Sequence, residues 1–336
     1  MYRVVELLDI CRDRIGKRAL AHLKTKGLKV NAMYPLTQFD ATKRNEAGFG
    51  TARRESLMIE ALTPEDEPEV MSFLNERSGY TFGLAGFIRT NGLVSPHNRG
   101  TFYACRDHER RLQGVALIGH YILFEARCDA AIEAFARLAQ ECRNAHMLLG
   151  EQDKVDVFWR SYAEQGQTLR MACREMLLEQ SWPIDVKEAV TGLRLANLDD
   201  LDKVVPAHAQ LAFAESGVDP LAKDPEGFRN RCARRIENGQ TWIWVENGRL
   251  MFKAEVISDT QDVAYLEGVW VDPDERAKGY GLRCMSQLVR ELLTKSASVC
   301  LLVNEKFEDS QRFYKKAGFK FIGLFDTIFL KQDKTN

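Results

Sequence analysis

Strong net charge is absent from this 336-residue sequence, and so are long apolar runs. The chain has 47 Lys and Arg residues against 48 Asp and Glu, which gives a formal net charge of −1. This balance creates no overall field that would attract nucleic acid or an anionic membrane. No stretch approaches the ~18 uncharged apolar residues of a membrane-spanning helix, and the charged N-terminus lacks the apolar core of a secretory signal. We therefore expect neither nucleic acid nor a membrane as a partner.

Paired cysteine and histidine motifs are missing as well. The eight cysteines occur singly, without a CxxC motif and without a histidine at zinc-ligand spacing. The six histidines form neither an HxxxH nor an HExxH pattern. We interpret the cysteines as small buried hydrophobic residues in a reducing compartment. The sequence thus predicts a cytoplasmic protein without a metal.

Composition and length indicate a soluble protein of more than one domain. Hydrophobic residues make up 45% and charged residues 28% of the chain, as in ordinary globular proteins. A single core rarely grows beyond ~250–300 residues. We predict a basic amphipathic helix and linker over residues 1–54, one domain over 55–185 and a second over 186–336. The basic segment could pack on the next domain, or dock on an anionic partner or a membrane surface.

The two predicted domains repeat one order of strands and helices, which places both in the mixed α/β class. A predicted helix containing FWRSY (158–162) and followed by Gly166 parallels a later one containing RFY (312–314) and followed by Gly318. A repeat of this length indicates a duplicated domain rather than a solenoid.

Local motifs predict individual elements within this order. Thr63, with Asp66 three residues later, predicts the N-terminus of a helix. Asn247-Gly248 is the favoured two-residue turn of a β-hairpin. The apolar run 115–124 is predicted to form a single strand.

The sharpest chemical signal is the segment VWVDPDERAKGYG (269–281), which leads from a predicted strand into an amphipathic helix. Gly279 and Gly281 permit backbone angles and a close approach that a Cβ atom would prevent. The first turn of the helix presents backbone N–H groups and a partial positive charge, and Arg276 and Lys278 add cationic side chains. Such a turn suits a pyrophosphate group.

Two known phosphate-binding patterns do not match this segment. The GxxxxGK[ST] loop is absent, and the dinucleotide pattern GxGxxG lacks its third glycine here. The pattern that remains is R-x-x-G-x-G between a strand and a helix, and it resembles the pyrophosphate loop of the GNAT (Gcn5-related N-acetyltransferase) superfamily. The later segments LLVN (301–304) and SQRFYKKAGF (310–319) resemble the C-terminal motif of the same superfamily.

The resemblance implies a fold and a reaction. The fold would be two tandem acyl-CoA N-acyltransferase-like domains, each a mixed, mostly antiparallel sheet flanked by helices. The reaction would move an acetyl group from acetyl-CoA to a primary amine of a small molecule or peptide, with coenzyme A as the product. A homodimer is compatible with this superfamily.

The resemblance also assigns roles to particular residues. Tyr314 matches the general acid that protonates the departing thiolate, and a phenol of pKa ~10 can donate that proton when it is close to the sulfur. The matching cofactor-binding positions, the two valines acting through their backbone, are Val269, Val271, Arg276, Lys278, Gly279, Tyr280, Gly281, Asn304 and Ser310.

A base must remove a proton from the acceptor amine, and Glu267 is the predicted candidate. Strand alternation would place its side chain on the same face as Val269 and Val271. Apolar neighbours would raise the pKa of this carboxyl group, as suits a base. Glu255, on the neighbouring predicted strand, is the alternative.

The first domain looks like a degenerate copy. Its predicted strand 115–124 is followed by EARCD (125–129), without a glycine. A backbone without glycine cannot cradle a pyrophosphate closely, so we expect only the second domain to bind coenzyme A. The alternative to an enzyme is a non-catalytic regulatory module that binds acyl-CoA or a metabolite. Tyr314 together with Gly279 and Gly281 favours the enzyme.

Overall fold

The computed structural model describes residues 57–183, 189–216 and 219–331. The predicted basic helix and linker of residues 1–54 lie outside these ranges. Within them, no helix is both long and apolar enough to cross a bilayer.

The first half of the described chain alternates strands with helices, as the sequence predicts. Asp66 accepts hydrogen bonds from the backbone N–H (2.8 Å) and the hydroxyl group of Thr63, which confirms the predicted helix start. The helix begins there as a 3₁₀ turn, Pro64–Asp66, which leads into the first α-helix. The elements are β1 (Met58–Ala61), α1 (Glu67–Asn75), α2 (Ser78–Asn91), β2 (Gly100–Arg106), β3 (Leu112–Gly119), β4 (Tyr121–Ala126), α3 (Asp129–Ala139), β5 (Met147–Glu151), α4 (Gln152–Tyr162) and β6 (Leu169–Gln180).

The single strand predicted over residues 115–124 is wrong, because the chain reverses there. β3 and β4 are antiparallel neighbours, with Ile118 opposite Ile122. Gly119 permits the reversal, since a Cβ atom at this position would lie 2.3 Å from the carbonyl oxygen of Arg99. Both strands are almost fully buried, so the turn carries little of the polar sequence that usually marks one.

The second half repeats the order of the first. Asn247 and Gly248 have φ values of 50° and 75°, as a two-residue hairpin turn requires, which confirms the predicted hairpin. The elements are β7 (Arg194–Leu195), α5 (Leu201–Ser216), α6 (Pro220–Lys223), α7 (Pro225–Glu237), β8 (Thr241–Glu246), β9 (Arg249–Asp259), β10 (Val263–Val271), α8 (Tyr280–Leu292), β11 (Ser298–Asn304), α9 (Glu308–Lys316) and β12 (Lys320–Leu330).

All twelve described strands form one mixed sheet, in the order β1-β2-β3-β4-β5-β12-β6-β11-β10-β9-β8-β7. The last strand of each half crosses to the other half. β12 pairs with β5, and β6 pairs with β11, while β6 and β12 also pair with each other. The predicted mixed α/β fold is confirmed. The boundary at residues 185/186 stays a prediction, and the sheet continues across it.

Helices cover both faces of the sheet. One face packs against α3, α4, α8 and α9, and the other against α1, α2, α5 and α7. Helix α2 belongs to the first half but reaches the second, where Phe82 stacks on Tyr265 of β10 with ring centroids 4.1 Å apart. The two halves therefore share a core as well as a sheet.

Candidate active site

A gap opens between the parallel strands β10 and β11. Residues 263–266 pair with residues 298–301, and the pairing stops there although both strands continue. β10 remains paired with β9 on its other side, and β11 remains paired with β6 as far as Asn304. The gap is thus bounded by two well-supported strands, with residues 267–271 on one side and 302–304 on the other.

A β-bulge in β10 sits at the start of this gap. Glu267 pairs with Glu255 and Trp270 pairs with Lys253, so two residues of β10 stand opposite one of β9. Gly268 occupies the bulge with a φ of 59°, a conformation that favours glycine. The extra residue reverses the alternation of side chains for the rest of the strand.

This reversal corrects one prediction made from strand alternation. Glu267 lies on the face of α5 and α7, where it approaches Arg235. Val269 and Val271 pack on the opposite face, in the core formed with α8 and α9. The three side chains therefore do not share a face.

The loop between β10 and α8 holds the predicted phosphate-binding cations at the surface. The Arg276 Nε atom donates a hydrogen bond to the Val271 carbonyl oxygen at 3.2 Å. Lys278 pairs with Glu275 at 3.0 Å. Gly279 precedes α8 with a φ of 87°, and a Cβ atom added there would meet no atom within 4 Å. The contact of Arg276 supports a role in shaping the turn.

Gly281 brings the first turn of α8 directly onto the end of β10. A Cβ atom at Gly281 would lie 2.7 Å from Cγ2 of Val271 and 3.4 Å from the Phe313 ring. The first backbone N–H groups of a helix have no partner within the helix, and no acidic residue lies in the first turn of α8. The neighbouring Tyr280 packs on Trp244, with ring centroids 5.4 Å apart. This helix end is suited to an anion.

Helix α9 flanks the same gap. Its one buried residue is Tyr314, whose ring packs edge-on against Phe319 with centroids 5.8 Å apart. Asn304 ends β11, and its Oδ1 atom accepts a hydrogen bond from the Lys306 backbone N–H at 3.0 Å. That contact shapes the turn into α9. Ser310 is half-buried in the first half of the helix.

The predicted base lies in a buried cluster of charges. The carboxylate of Glu267 is 3.4 Å from Nη2 of Arg235, and a second carboxylate, that of Glu255, also pairs with Arg235. Burial alone would raise the pKa of Glu255, but Arg235 and Lys253 hold that pKa well below its usual range. Burial opposes ionisation of Glu267 and Arg235 favours it, so the two act on the pKa of this carboxyl group in opposite directions. The predicted rise in the pKa of Glu267 takes no account of Arg235 and stays a prediction.

Three members of this cluster were missed in the sequence: Arg235 of α7, Lys253 of β9 and His208 of α5. All three are buried. A signal was present for two of them, since Lys253 interrupts the apolar run LMFKAEV (250–256) and Arg235 falls on the apolar face of α7. A charge at such a position usually has a partner inside the protein.

Comparisons with known proteins agree with this geometry. Residues 208–319 match the family model described as the acetyltransferase (GNAT) family. A UPF0039 protein of Schizosaccharomyces pombe is 35% identical over 85 residues, which cover 25% of this chain and 57% of that protein. The chain thus spans little more than half the length of that curated relative.

Solved structures share the fold at low sequence identity. An acetyltransferase of the GNAT family from Colwellia psychrerythraea is 12% identical with a TM-score of 0.52, over 82% of this chain and all of that one. A Drosophila protein is 13% identical with a TM-score of 0.58, over 82% and 99% of the two chains. A tandem GNAT protein from the clavulanic acid biosynthesis pathway is 12% identical with a TM-score of 0.52, over 82% and 98%.

Proposed function

Because the chain belongs to the GNAT superfamily through residues 208–319, we propose that its second half transfers an acetyl group from acetyl-CoA to a primary amine. The observation that carries this proposal is the gap between β10 and β11, with the glycine turn of α8 at one end and Tyr314 on α9 beside it. The acceptor is proposed to be a small molecule or a peptide.

The residues around the gap fit an acyl-CoA. The first turn of α8 would receive the pyrophosphate, because Gly279 and Gly281 keep side chains out of the way and this turn itself contains no acidic residue. Lys278 lies in the same loop, exposed, and would add positive charge. The backbone of Val269 and Val271 lies along the gap and would face the pantetheine arm.

Transfer to an amine requires a neutral nitrogen, and Glu267 is proposed to accept the proton, directly or through water. The nearby guanidinium of Arg235 favours the ionised form of this carboxyl group, and a carboxylate can accept a proton without first losing one. Glu255 is the weaker candidate, because Arg235 and Lys253 enclose its carboxylate.

Tyr314 is proposed to complete the transfer. The attacking nitrogen bonds to the carbonyl carbon, the C–S bond breaks, and the thiolate takes the phenolic proton. Support for this role comes from the position of Tyr314, which is 6% exposed and lies on the face of β10 that α8 and α9 cover.

A coenzyme A release assay tests the proposed function. The wild-type protein is mixed with acetyl-CoA and a panel of amino acids, polyamines, aminoglycosides and peptides. At least one amine should accelerate release, and the acetylated product should appear in the mass spectrum. Tight binding of acetyl-CoA without release for any amine would favour a regulatory module over an enzyme.

A further inference from the structure

Lys253 is a fully buried charge in the middle of β9. Its Nζ atom lies 2.7 Å from Oε1 of Glu255 in an ion pair and 3.0 Å from Nδ1 of His208. It also donates a hydrogen bond to the Gly268 carbonyl oxygen at 3.3 Å. The carbonyl oxygen of Gly268 is thus an acceptor for the ammonium group, and Glu255 balances its charge. Burying such a charge is costly, which suggests a functional reason for the contact between Lys253 and the bulge of β10.

The contact with Gly268 fixes the direction of the next peptide N–H. In a trans peptide unit the C=O and N–H bonds point in opposite directions. The Gly268 carbonyl points at Lys253, on the face of α5 and α7, so the N–H group of Val269 points away from that face. Neither Gly268 nor Val269 has a register partner on β9, and the described pairing with β11 has already ended. This N–H group therefore faces the gap between β10 and β11, on the side of the sheet that α8 and α9 cover.

We infer that Lys253 is a positioning residue that aims the Val269 N–H group at the carbonyl oxygen of the acyl thioester and strengthens that hydrogen bond. The inference rests on the proposed function. A positive charge bound to the carbonyl end of a peptide unit polarises it and makes its N–H end a better donor. When the amine nitrogen bonds to the thioester carbon, the carbonyl π electrons move to the oxygen, where this donor stabilises the new negative charge. Those electrons return as the C–S bond breaks.

Glycine at the bulge is part of this arrangement. A Cβ atom at Gly268 would lie 3.1 Å from Nζ of Lys253 and 3.2 Å from Oε2 of Glu255. Gly268 also has a φ of 59°, which side chains rarely adopt. A substitution there would push the ammonium group from the carbonyl oxygen, so Lys253 and Gly268 are expected to act as one unit.

Infrared spectroscopy of bound acetyl-CoA, labelled with ¹³C at the thioester carbonyl, tests the inference. In the wild-type protein the carbonyl stretch should move to lower frequency on binding. Lys253→Met keeps the length of the side chain but removes its charge, and most of this shift should be lost. Loss of a whole oxyanion donor lowers kcat by ~10²–10³, so a weakened and misaimed donor should lower kcat by roughly 10- to 100-fold. Affinity for coenzyme A, which has no thioester, should change by less than about threefold.

Lys154→Met is the matched control, because Lys154 pairs with Glu151 at 3.4 Å in the first half, far along the sheet from this gap. It should leave both the carbonyl shift and kcat unchanged. If Lys253→Met does not fold, Gly268→Ala is measured in its place, with the same expected loss. An unchanged shift and kcat in the folded variant, or a wild-type complex without any shift, would overturn the inference. Failure of the wild-type protein to bind acetyl-CoA would instead overturn the proposed function.

Discussion

Each half contains a gap between two parallel strands, but the residues that surround the two gaps differ. In the first half the parallel strands β4 and β5 pair over residues 121–123 and 147–149 and then separate, as β10 and β11 do in the second. The connection that follows is short in the first half, where residues 127–128 join β4 to α3. In the second half residues 272–279 join β10 to α8. Only the longer connection contains a glycine turn.

Charged side chains fill the gap of the first half. Arg77 pairs with Glu125 at 3.0 Å and with Glu151 at 2.9 Å, and Lys154 pairs with both glutamates. Asp129 lies in the first turn of α3, where it would repel a phosphate group, whereas α8 has no acid in that position. A ligand entering this gap would have to separate several ion pairs. One fold thus supports both a closed gap and an open one, and local side chains decide which.

The largest expected effect comes from separating the halves. Fragments 1–185 and 186–336 should each aggregate or stay unfolded. The first lacks β12, which pairs between β5 and β6, and the second lacks β6, which pairs between β12 and β11, so long strand edges are left exposed in both. The two fragments produced together should assemble into a 1:1 complex. Size-exclusion chromatography and circular dichroism measure both outcomes. If each fragment alone is monomeric and melts cooperatively, the exchange of β6 and β12 does not hold the halves together.

The second-largest effect is expected on the affinity for acetyl-CoA. Gly281→Glu adds a carboxylate and a Cβ atom that would lie 2.7 Å from Val271, so affinity should fall by ~100-fold or more, about 2.8 kcal/mol. Ala130 occupies the second position of α3, as Gly281 does in α8, and it is exposed. Ala130→Glu should therefore leave affinity unchanged. Calorimetry measures both variants, with thermal melting as the test of folding. Equal affinities in both would remove α8 from the phosphate site.

Much of the fold, and part of the candidate site, could be predicted from the sequence, because the signals for them are local. The turn at Asn247-Gly248 and the capping pair Thr63 and Asp66 depend on neighbouring residues, and the structure has both. The element order and the mixed α/β class follow from periodicity in the same way. The GNAT-like glycine loop is also a contiguous segment.

Features that depend on distant parts of the chain could not be predicted. The exchange of β6 and β12 joins strands about 150 residues apart, and an apolar strand carries no local mark of its partner. The bulge at Gly268 changes the face of Glu267 relative to Val269, although strand alternation predicts one face. The pairing of Arg235 with Glu267 could not be predicted for a similar reason, since Arg235 reaches this carboxylate from a separate helix.

Tyr314→Phe and the matching variant of the first half compare the two halves by their effects on kcat. It keeps the ring contacts but removes the phenolic proton, so kcat should fall by ~10²-fold with little change in acetyl-CoA affinity. Tyr162 is the counterpart in the first half, four residues before Gly166 as Tyr314 is before Gly318. Burial raises the pKa of Tyr162 to about 12, and Tyr162→Phe should leave kcat unchanged. Stopped-flow measurement of coenzyme A release compares the two. Full activity of Tyr314→Phe would assign the proton to another donor.

The smallest effect is expected from opening the closed gap. Glu125→Gln removes one carboxylate from the ion cluster and leaves Arg77 and Lys154 with Glu151 alone. The cluster is partly exposed, so the free energy of unfolding should drop by only ~1–3 kcal/mol. Acetyl-CoA should still bind with a stoichiometry of one per chain, because the short connection at residues 127–128 offers no glycine turn and Asp129 remains in the first turn of α3. Denaturant unfolding measures the first quantity and calorimetry the second. A second equivalent site, in this variant or in the wild-type protein, would show that the ion pairs and the short connection do not keep acyl-CoA out of the first half.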